Sequence, residues 1–275
     1  MKKIWISLLA AVGILGLVAC SSESAGGDEI KIGATAGPYS DQIKESIKPI
    51  LEKEGYTVTV VEFNDYIQPN NALNEGNLDA NVFQTSVYLD EFNKELKTDL
   101  VAAHFVPTAP ISVYSENHKA LSDLKEGMKV TLPNDPVNMA RALQMMEQFG
   151  WIKLKDNIQQ SRASEKDIID NRFNLIVVPL EAAQLPRSLG DADFAFINGN
   201  FAIASGLKLE EAIERENTPP QYMNNVVYRK EDLEKPFVEA IKKAYYSEEF
   251  LTYTNEHNTG FVKPDYQRDQ EVKSD

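Results

Sequence analysis

Cysteine and histidine are scarce in this chain, and both scarcities limit the chemistry that it can perform. The 275 residues include one cysteine, Cys20, and three histidines, His104, His118 and His257. A single cysteine has no partner for a disulfide within the chain, so stability must come from burial. The histidines lie far apart, and none has a metal-type partner three or four residues away. The sequence therefore predicts neither a metal site nor a cofactor.

Catalytic motifs are also missing. There is no GxSxG nucleophile elbow and no phosphate-binding GxxxxGK[ST] loop. The paired carboxylates Glu210-Glu211 and Glu248-Glu249 lie on predicted helices among other charged residues, which indicates a solvated face. We expect that the protein is not an enzyme.

Basic residues are outnumbered. Lys and Arg total 28 against 42 Asp and Glu, giving a formal net charge of −14. This balance argues against a nucleic-acid partner and against a basic surface that adheres to anionic lipid.

Long apolar runs are missing everywhere except at the N-terminus. Lys2 and Lys3 precede the almost wholly apolar stretch Ile4–Val18, which is short for a membrane-spanning helix and typical of an export signal. The run Leu17-Val18-Ala19-Cys20 resembles a bacterial lipobox. The resemblance implies that residues 1–19 are a lipoprotein signal peptide and that Cys20 becomes a lipid-modified (palmitate-bearing) N-terminus. An ordinary signal followed by a buried thiol is the alternative.

The segment after Cys20 has the composition of a flexible linker. Residues 20–29 combine Ser, Gly and acidic side chains, so we expect a tether from the lipid anchor to the folded body. The protein would then sit at the cell membrane, on its extracytoplasmic face.

The folded part alternates strand and helix. Ile30–Ala34 is a predicted strand, apolar residues spaced over Ile43–Leu51 form one face of a helix, and Tyr56–Phe63 is rich in β-branched residues. Strand, helix and strand in this order imply a parallel, helix-covered sheet, and hence an α/β fold. The pattern restarts at Met128–Leu132, followed by a helix that begins at Asp135-Pro136.

This restart predicts two lobes. We place residues 30–114 and 224–275 in lobe 1 and residues 115–223 in lobe 2. The prolines at 107 and 110 suit an extended segment that crosses between lobes. The C-terminal end, Tyr266–Asp275, is charged and lacks apolar periodicity, so it is expected to fray.

Two segments, one in each half of the chain, have similar sequence patterns. Leu78–Phe83 and Asp191–Phe196 are each a short strand entered through Asp and followed by small polar residues. Ligands of open α/β sheets bind beyond the carboxyl ends of strands. Both segments should therefore supply cleft residues.

Candidate binding residues cluster near these strand ends. Tyr66, Phe83 and Tyr88 would form an aromatic wall, although each taken alone is equally well read as a core residue. Asn138 and Arg141, three residues apart on the predicted helix, share a face turned away from its apolar stripe.

Arg141 could offer its guanidinium to a carboxylate, and a solvent-exposed arginine is the alternative. The run Asn198-Gly199-Asn200 opens a predicted helix, where amides and free N–H groups can hold ionic groups.

Several stretches together resemble one family. The chain is similar to the methionine-binding lipoproteins of bacterial ABC importers, the NlpA lipoprotein family. The stretches that carry the resemblance are Gly33–Pro38, Glu62–Asn70, Leu78–Gln84, Pro133–Pro136 with Arg141, Leu180–Arg187 and Ile197–Asn200.

The resemblance implies a two-lobed periplasmic-binding-protein fold, type II-like, whose cleft closes over L-methionine or a close relative. Arg141 would pair with the ligand carboxylate, helped by Asn138. The partners implied are a membrane permease and its ATPase. The side chains that would line the site are those of Tyr66, Phe83, Thr85, Tyr88, Asn138, Arg141, Asn198 and Asn224.

One departure from the family bears on the ligand. Thr85 stands where the family usually has His, which changes the size and hydrogen bonding of the pocket wall. A different amino acid or a methionine-containing dipeptide therefore stays open as the ligand. A lipid-anchored surface interaction or adhesion protein on the same fold is the alternative function.

Overall fold

The structure is a computed structural model that describes residues 28–274. The predicted signal peptide, Cys20 and most of the predicted tether lie outside the described residues. Glu29, predicted to end the tether, instead opens the first strand, where its backbone lies beside Thr57 of the second strand.

The described strands alternate with helices, as the sequence predicts. The strands are β1 (Glu29–Thr35), β2 (Thr57–Phe63), β3 (Ala80–Thr85), β4 (Val101–Phe105), β5 (Ser112–Tyr114), β6 (Lys129–Pro133), β7 (Lys153–Leu154), β8 (Ile168–Asp170), β9 (Ile176–Leu180), β10 (Phe194–Ile197), β11 (Glu214–Arg215) and β12 (Asn224–Tyr228). The α-helices are α1 (Pro38–Gln42), α2 (Lys48–Lys53), α3 (Gln68–Asn74), α4 (Ser86–Leu96), α5 (Pro136–Gln148), α6 (Gly199–Ala204), α7 (Pro236–Tyr245), α8 (Glu248–His257) and α9 (Asp265–Ser274). A π-helical turn, Ile43–Ile47, joins α1 to α2.

The two main sheets have the same topology. The first has strand order β2-β1-β3-β12-β4, and the second, read from its other edge, has order β9-β6-β10-β5-β11. In each sheet three parallel strands are followed by one antiparallel strand that arrives from the other half of the chain. The chain therefore folds into two similar α/β lobes.

Two segments connect the lobes. Residues 106–111 run from β4 to β5, and residues 216–223 run from β11 to β12. The predicted boundary after residue 114 is too late, because β5 pairs with β10 of the second sheet and so belongs to lobe 2. A three-residue strand preceded by two prolines carries no sequence signal of the sheet that it joins.

Each lobe has its own hydrophobic core. In lobe 1, Ile43, Ile47 and Leu51 are fully buried in the same cluster as Ile30 and Ile32 of β1, which confirms the predicted helix face. In lobe 2, the buried apolar residues of α5 pack in a cluster with Phe194 and Phe196 of β10. Separate cores allow the lobes to move as units about the two connecting segments.

The similar sequence patterns of the two halves have a structural basis. Strand β3 and strand β10 hold equivalent positions, each third in its sheet. The Asp79 carboxylate accepts a hydrogen bond from the backbone N of Lys31 at 2.8 Å, and the Asp193 carboxylate accepts one from the backbone N of Lys129 at 2.8 Å. In each lobe an aspartate thus joins the third strand to the parallel strand beside it, β1 in lobe 1 and β6 in lobe 2.

The C-terminal end differs from its prediction. The frayed tail expected over Tyr266–Asp275 is a helix, α9, as far as Ser274. The Tyr266 ring stacks on Tyr246 with 3.8 Å between centroids, and Gln267, fully buried, donates to the Thr254 hydroxyl at 3.0 Å. A short helix without an apolar stripe is stabilised here by tertiary contacts, which sequence periodicity does not record.

We expect Tyr266→Ala to lower the free energy of unfolding by about 1–3 kcal/mol, because it removes the ring stacked on Tyr246. Val272→Ala is the matched control on the same helix, since Val272 is 78% exposed and should change stability by less than about 0.5 kcal/mol. Urea denaturation measures both. Equal effects of the two substitutions would show that α9 does not dock through Tyr266.

His104 makes lobe 1 sensitive to acid. Burial, with a smaller effect of Lys242, lowers the pKa of His104 from 6.5 to about 3. The unfolded chain binds this proton near pH 6.5 and the folded chain does not. The contribution of His104 to the free energy of unfolding is therefore complete above pH 6.5 and is lost as the pH falls towards 3. His104→Phe keeps an aromatic ring beside Tyr228 and Tyr245.

Below roughly pH 6, each unit by which the pH falls should raise the stability of His104→Phe relative to the wild type by about 1.4 kcal/mol. Urea denaturation of both proteins at several pH values between 4 and 7 measures this difference. Parallel pH dependences would disprove the role of His104.

Candidate functional site

A pocket lies between the lobes where strand ends face each other. Thr85 ends β3 of lobe 1, and Asn198 follows β10 of lobe 2. The space between the protein atoms is ≈ 340 Å³, part of which is open to solvent. The lining side chains are those of Tyr39, Tyr66, Phe83, Gln84, Thr85, Tyr88, Ala109, Asn138, Arg141, Asn198, Asn200 and Asn224. All eight residues predicted from the sequence are among them.

The predicted aromatic residues form one wall of the pocket. The ring centroid of Tyr66 is 5.8 Å from that of Phe83 and 6.0 Å from that of Tyr88, and Phe83 and Tyr88 are also 6.0 Å apart. The Tyr88 hydroxyl donates to the backbone carbonyl of Tyr66 at 3.0 Å, which fixes the two rings relative to each other. This wall can enclose an apolar side chain.

Asn200 connects the lobes behind this wall. Its Oδ1 accepts from the Tyr66 hydroxyl at 2.7 Å, and its Nδ2 donates to the Thr35 hydroxyl of β1 at 3.3 Å. Burial raises the pKa of Tyr66 well above its usual value, so the phenol stays protonated and donates. Asn200 belongs to the predicted Asn198-Gly199-Asn200 motif, but its contact with lobe 1 appears only in the folded protein.

Gly199 allows this approach. A Cβ atom at position 199 would lie 2.5 Å from the Ala109 Cβ and 2.6 Å from the Pro110 carbonyl oxygen. The start of α6 therefore packs directly on the connecting segment 106–111 only because residue 199 has no side chain.

Arg141 is buried, which corrects the prediction for its helix. The sequence placed Asn138 and Arg141 on a face of α5 turned away from the apolar stripe. They do lie off the stripe, but that face is covered as well, and they are 5% and 4% exposed. The solvent-exposed arginine left open as the alternative is therefore wrong.

The guanidinium of Arg141 is held on three sides. Its Nε donates to Glu216 Oε1 at 2.9 Å, and its Nη2 donates to Glu216 Oε2 at 2.6 Å. Its Nη1 donates to Asn138 Oδ1 at 2.8 Å, and its Cζ lies 4.7 Å from the ring centroid of Tyr222. Burial by itself lowers the pKa of Arg141, but the Glu216 carboxylate raises it above its ordinary value.

These bonds leave part of the guanidinium available. An arginine has five N–H bonds, of which three are used here, so one remains on Nη1 and one on Nη2. Because Arg141 lines the pocket, these two N–H groups are the available partners for a ligand carboxylate.

Sequence reasoning missed Glu216 and Tyr222. Both lie on the connecting segment 216–223, and neither stands in a periodic element or a recognised motif. Glu216 is also held in place, because its backbone N donates to the Ile111 carbonyl at 2.9 Å and its Oε2 accepts from the Thr218 hydroxyl at 2.9 Å.

Asn138 supports Arg141 from within α5. Its Nδ2 donates to both carboxylate oxygens of Asp135, at 3.1 and 3.0 Å, while its Oδ1 accepts from Arg141. Asp135 is the predicted N-cap and accepts the Asn138 backbone N–H at 2.9 Å. Burial raises the pKa of Asp135, against the effect of these hydrogen bonds.

Asn198 offers the pocket an unsatisfied acceptor. Its Oδ1 is buried and has no hydrogen-bond partner within residues 28–274. A buried amide oxygen without a partner costs free energy, so this oxygen favours a ligand that donates a hydrogen bond. Asn224 is held by hydrogen bonds within the protein: its Nδ2 donates to the Phe83 carbonyl at 3.0 Å, and its backbone N donates to the Thr108 hydroxyl at 2.8 Å.

Thr85 lines the pocket and also begins a helix. Its Oγ1 accepts the backbone N–H of Tyr88 at 3.1 Å, which makes it the N-cap of α4. A hydroxyl can cap a helix in this way. Thr85 therefore helps to place Tyr88 in the aromatic wall.

The mouth of the cleft carries a second contact between the lobes. Glu91 of α4 accepts from Arg162 Nε at 2.6 Å and from Gln159 Nε2 at 3.2 Å, and both donors belong to lobe 2. Together with the Tyr66–Asn200 hydrogen bond, these contacts close the two lobes over the pocket.

Two other features are absent from residues 28–274. That part of the chain contains no group of three or more His, Cys, Asp or Glu residues that could hold a metal ion. No helix there has the length and apolar character needed to cross a membrane.

Known proteins share this sequence and this structure. The NlpA lipoprotein family matches residues 30–266. The D-methionine-binding lipoprotein MetQ of Salmonella typhi is 37% identical over 265 residues, which cover 95% of this chain and 97% of that protein.

Two solved structures match the fold. A nutrient-binding protein from Burkholderia cenocepacia bound to methionine has a TM-score of 0.81 and 40% identity, covering 85% of this chain and 99% of that one. The methionine-binding protein MetQ has a TM-score of 0.80 and 37% identity, covering 86% and 98%. These matches confirm the two-lobed periplasmic-binding-protein fold expected from the sequence. The family and the relatives are binding proteins and not enzymes. The chain belongs to the NlpA lipoprotein family.

Proposed function

We propose that this protein captures methionine in the cleft between its lobes and delivers it to the permease of an ABC importer. The observation that carries the proposal is one pocket that combines a fixed guanidinium, an unpartnered amide oxygen and an aromatic wall. These three features match the carboxylate, the ammonium group and the apolar side chain of an amino acid. The relatives named above bind methionine according to their names.

The carboxylate of the ligand would bind to Arg141. The two remaining N–H groups, on Nη1 and Nη2, form a fork that suits two carboxylate oxygens. Because Glu216 and Asn138 already fix the guanidinium, little conformational entropy remains to be lost when the ligand binds.

The ammonium group and the side chain of the ligand would bind to the Asn198 amide oxygen and to the aromatic wall. The ammonium group can donate to the Asn198 Oδ1, which satisfies that buried oxygen. The thioether side chain would pack against Tyr66, Phe83 and Tyr88, since sulfur makes favourable contacts with aromatic rings.

Closure would couple binding to transport. The site takes Arg141 and Asn198 from lobe 2 and the aromatic wall from lobe 1, so a ligand that touches both lobes stabilises the closed state. A permease that recognises the relative position of the lobes can then distinguish the loaded protein from the empty one. The permease and its ATPase are the proposed partners.

We place the protein at the extracytoplasmic face of the cell membrane, held by lipid on Cys20. The lipobox-like run Leu17-Val18-Ala19-Cys20 supports this placement, as does the family to which the chain belongs. Attachment would raise the concentration of the protein near its permease.

Calorimetry with purified protein should show saturable binding of methionine, measured for both enantiomers, and Arg141→Lys should weaken it by roughly 10- to 100-fold. Lysine keeps a positive charge beside Glu216 but lacks the planar fork that binds two oxygens. Arg187→Lys is the control, because Arg187 is an exposed arginine of lobe 2 outside the pocket.

Binding of another amino acid or of a methionine-containing dipeptide, with no heat from methionine, would contradict the proposed ligand. Absence of binding by any amino acid or short peptide would contradict the capture function and would favour the surface interaction or adhesion role.

Replacement of Cys20 by alanine should abolish lipid attachment. Cells that express the wild type or Cys20→Ala are labelled with a radioactive fatty acid and separated into membrane and soluble fractions. We expect the label only in the wild type, and the variant in the soluble fraction, because the lipid is the proposed anchor. Cys20→Ala that carries as much label as the wild type would rule out attachment at this residue.

A further inference from the structure

The buried ion pair between Arg141 and Glu216 affects the net charge that a bound ligand can carry. The side chains are 4% and 8% exposed, and Glu216 Oε2 lies 2.6 Å from Arg141 Nη2. Among residues 28–274, Arg141 is the only charged side chain that lines the pocket. Its positive charge is therefore balanced by Glu216 whether or not a ligand is bound.

Neighbouring groups add no positive charge. Burial raises the pKa of the Tyr66 and Tyr88 phenols, so both stay neutral. Asp135 lies just beyond Asn138 and is a second carboxylate linked to the same guanidinium through that amide. The immediate surroundings of the ligand carboxylate are therefore neutral to negative overall.

This balance discriminates between ligands by their net charge. A carboxylic acid without an amino group brings a full negative charge into a buried pocket whose one cation is already paired, and burying an uncompensated charge is costly. An α-amino acid brings its own positive charge and is neutral as a whole. Both classes can place the same carboxylate on the free N–H groups of Arg141.

We propose that Glu216 is a specificity-determining residue that makes the pocket select zwitterionic α-amino acids over anionic carboxylic acids of the same shape. The proposal rests on the proposed function, because it assumes that the carboxylate of the ligand binds at Arg141. Glu216 acts through Arg141, and it lies on the segment 216–223 that connects the lobes.

The test compares two ligands that differ in one group. L-methionine and its α-hydroxy analogue, 2-hydroxy-4-(methylthio)butanoate, share the carboxylate and the thioether, but only methionine carries an ammonium group. Dissociation constants of both are measured by calorimetry at pH 7 for the wild type and for Glu216→Gln. Glutamine keeps the shape of the side chain and an oxygen for Arg141, and it removes the negative charge.

We expect the wild type to prefer methionine and Glu216→Gln to reduce that preference at least tenfold, mainly by tighter binding of the hydroxy acid. Loss of a hydrogen bond or a local change of packing would weaken both ligands alike and leave their ratio unchanged. The ratio therefore separates the effect of charge from a structural effect.

Two variants serve as controls. Glu216→Asp retains the negative charge and should keep a ratio close to that of the wild type. Glu214→Gln removes an exposed carboxylate two residues away and should not change the ratio. If Glu216→Gln does not fold, Asp135→Asn provides the second test, since asparagine also caps helices; it should shift the ratio in the same direction and by a smaller factor.

Each outcome decides the question. A ratio that Glu216→Gln or the substitute variant leaves within twofold of the wild type overturns the proposal, and so does a wild type that binds the hydroxy acid as tightly as methionine. If the wild type binds neither compound but binds another amino acid, that acid and its own hydroxy analogue replace them. A wild type that binds no amino acid refutes the proposed function itself, which is a separate result.

Discussion

The buried contact of Arg141 with Glu216 is the interaction on which the rest of the site depends. An ion pair in the interior is a poor source of stability, because desolvation of the two charges offsets most of their attraction. This pair is nevertheless enclosed by Asn138, Tyr222 and Thr218. Its geometric effect is definite, since it presents the free edge of one guanidinium to the pocket. The arrangement is that of a binding site prepared before its ligand arrives.

The position of Glu216 links this contact to the architecture. Arg141 lies on α5 in lobe 2, whereas Glu216 lies on one of the two segments that connect the lobes. The other connecting segment packs on the start of α6 at Gly199. Both connections between the lobes thus reach the pocket, one through the contact of Glu216 with Arg141 and the other through Ala109, which lines it. Movement of one lobe against the other must alter the same contacts that would hold a ligand, which is the physical requirement for closure that responds to binding.

This arrangement follows from two lobes that share one sheet topology. Each sheet points the carboxyl ends of its parallel strands at the other, so Thr85 and Asn198 both line the pocket, one from each lobe. Asp79 and Asp193 fix the third strand of each sheet to its parallel neighbour, β1 or β6, in the same way. Equivalent strands then carry different residues at their ends: the aromatic rings lie in the first lobe, and Arg141, Asn138 and Asn198 lie in the second. A pocket between such ends grips an apolar group on one side and polar groups on the other.

Local patterns in the sequence predict the secondary-structure elements and much of the site. Apolar spacing over Ile43–Leu51 and the Asp135-Pro136 start signal predicted helices that the structure contains, because hydrophobic periodicity and capping are local properties. All eight predicted site residues line the pocket, but several were placed through family resemblance, since a strand end names no function. Three features appear only in the folded protein: Arg141 is buried against Glu216, β5 joins the second lobe, and the charged tail forms α9. These outcomes depend on contacts between residues distant along the chain, such as the 75 positions that separate Arg141 from Glu216, and no local pattern records them.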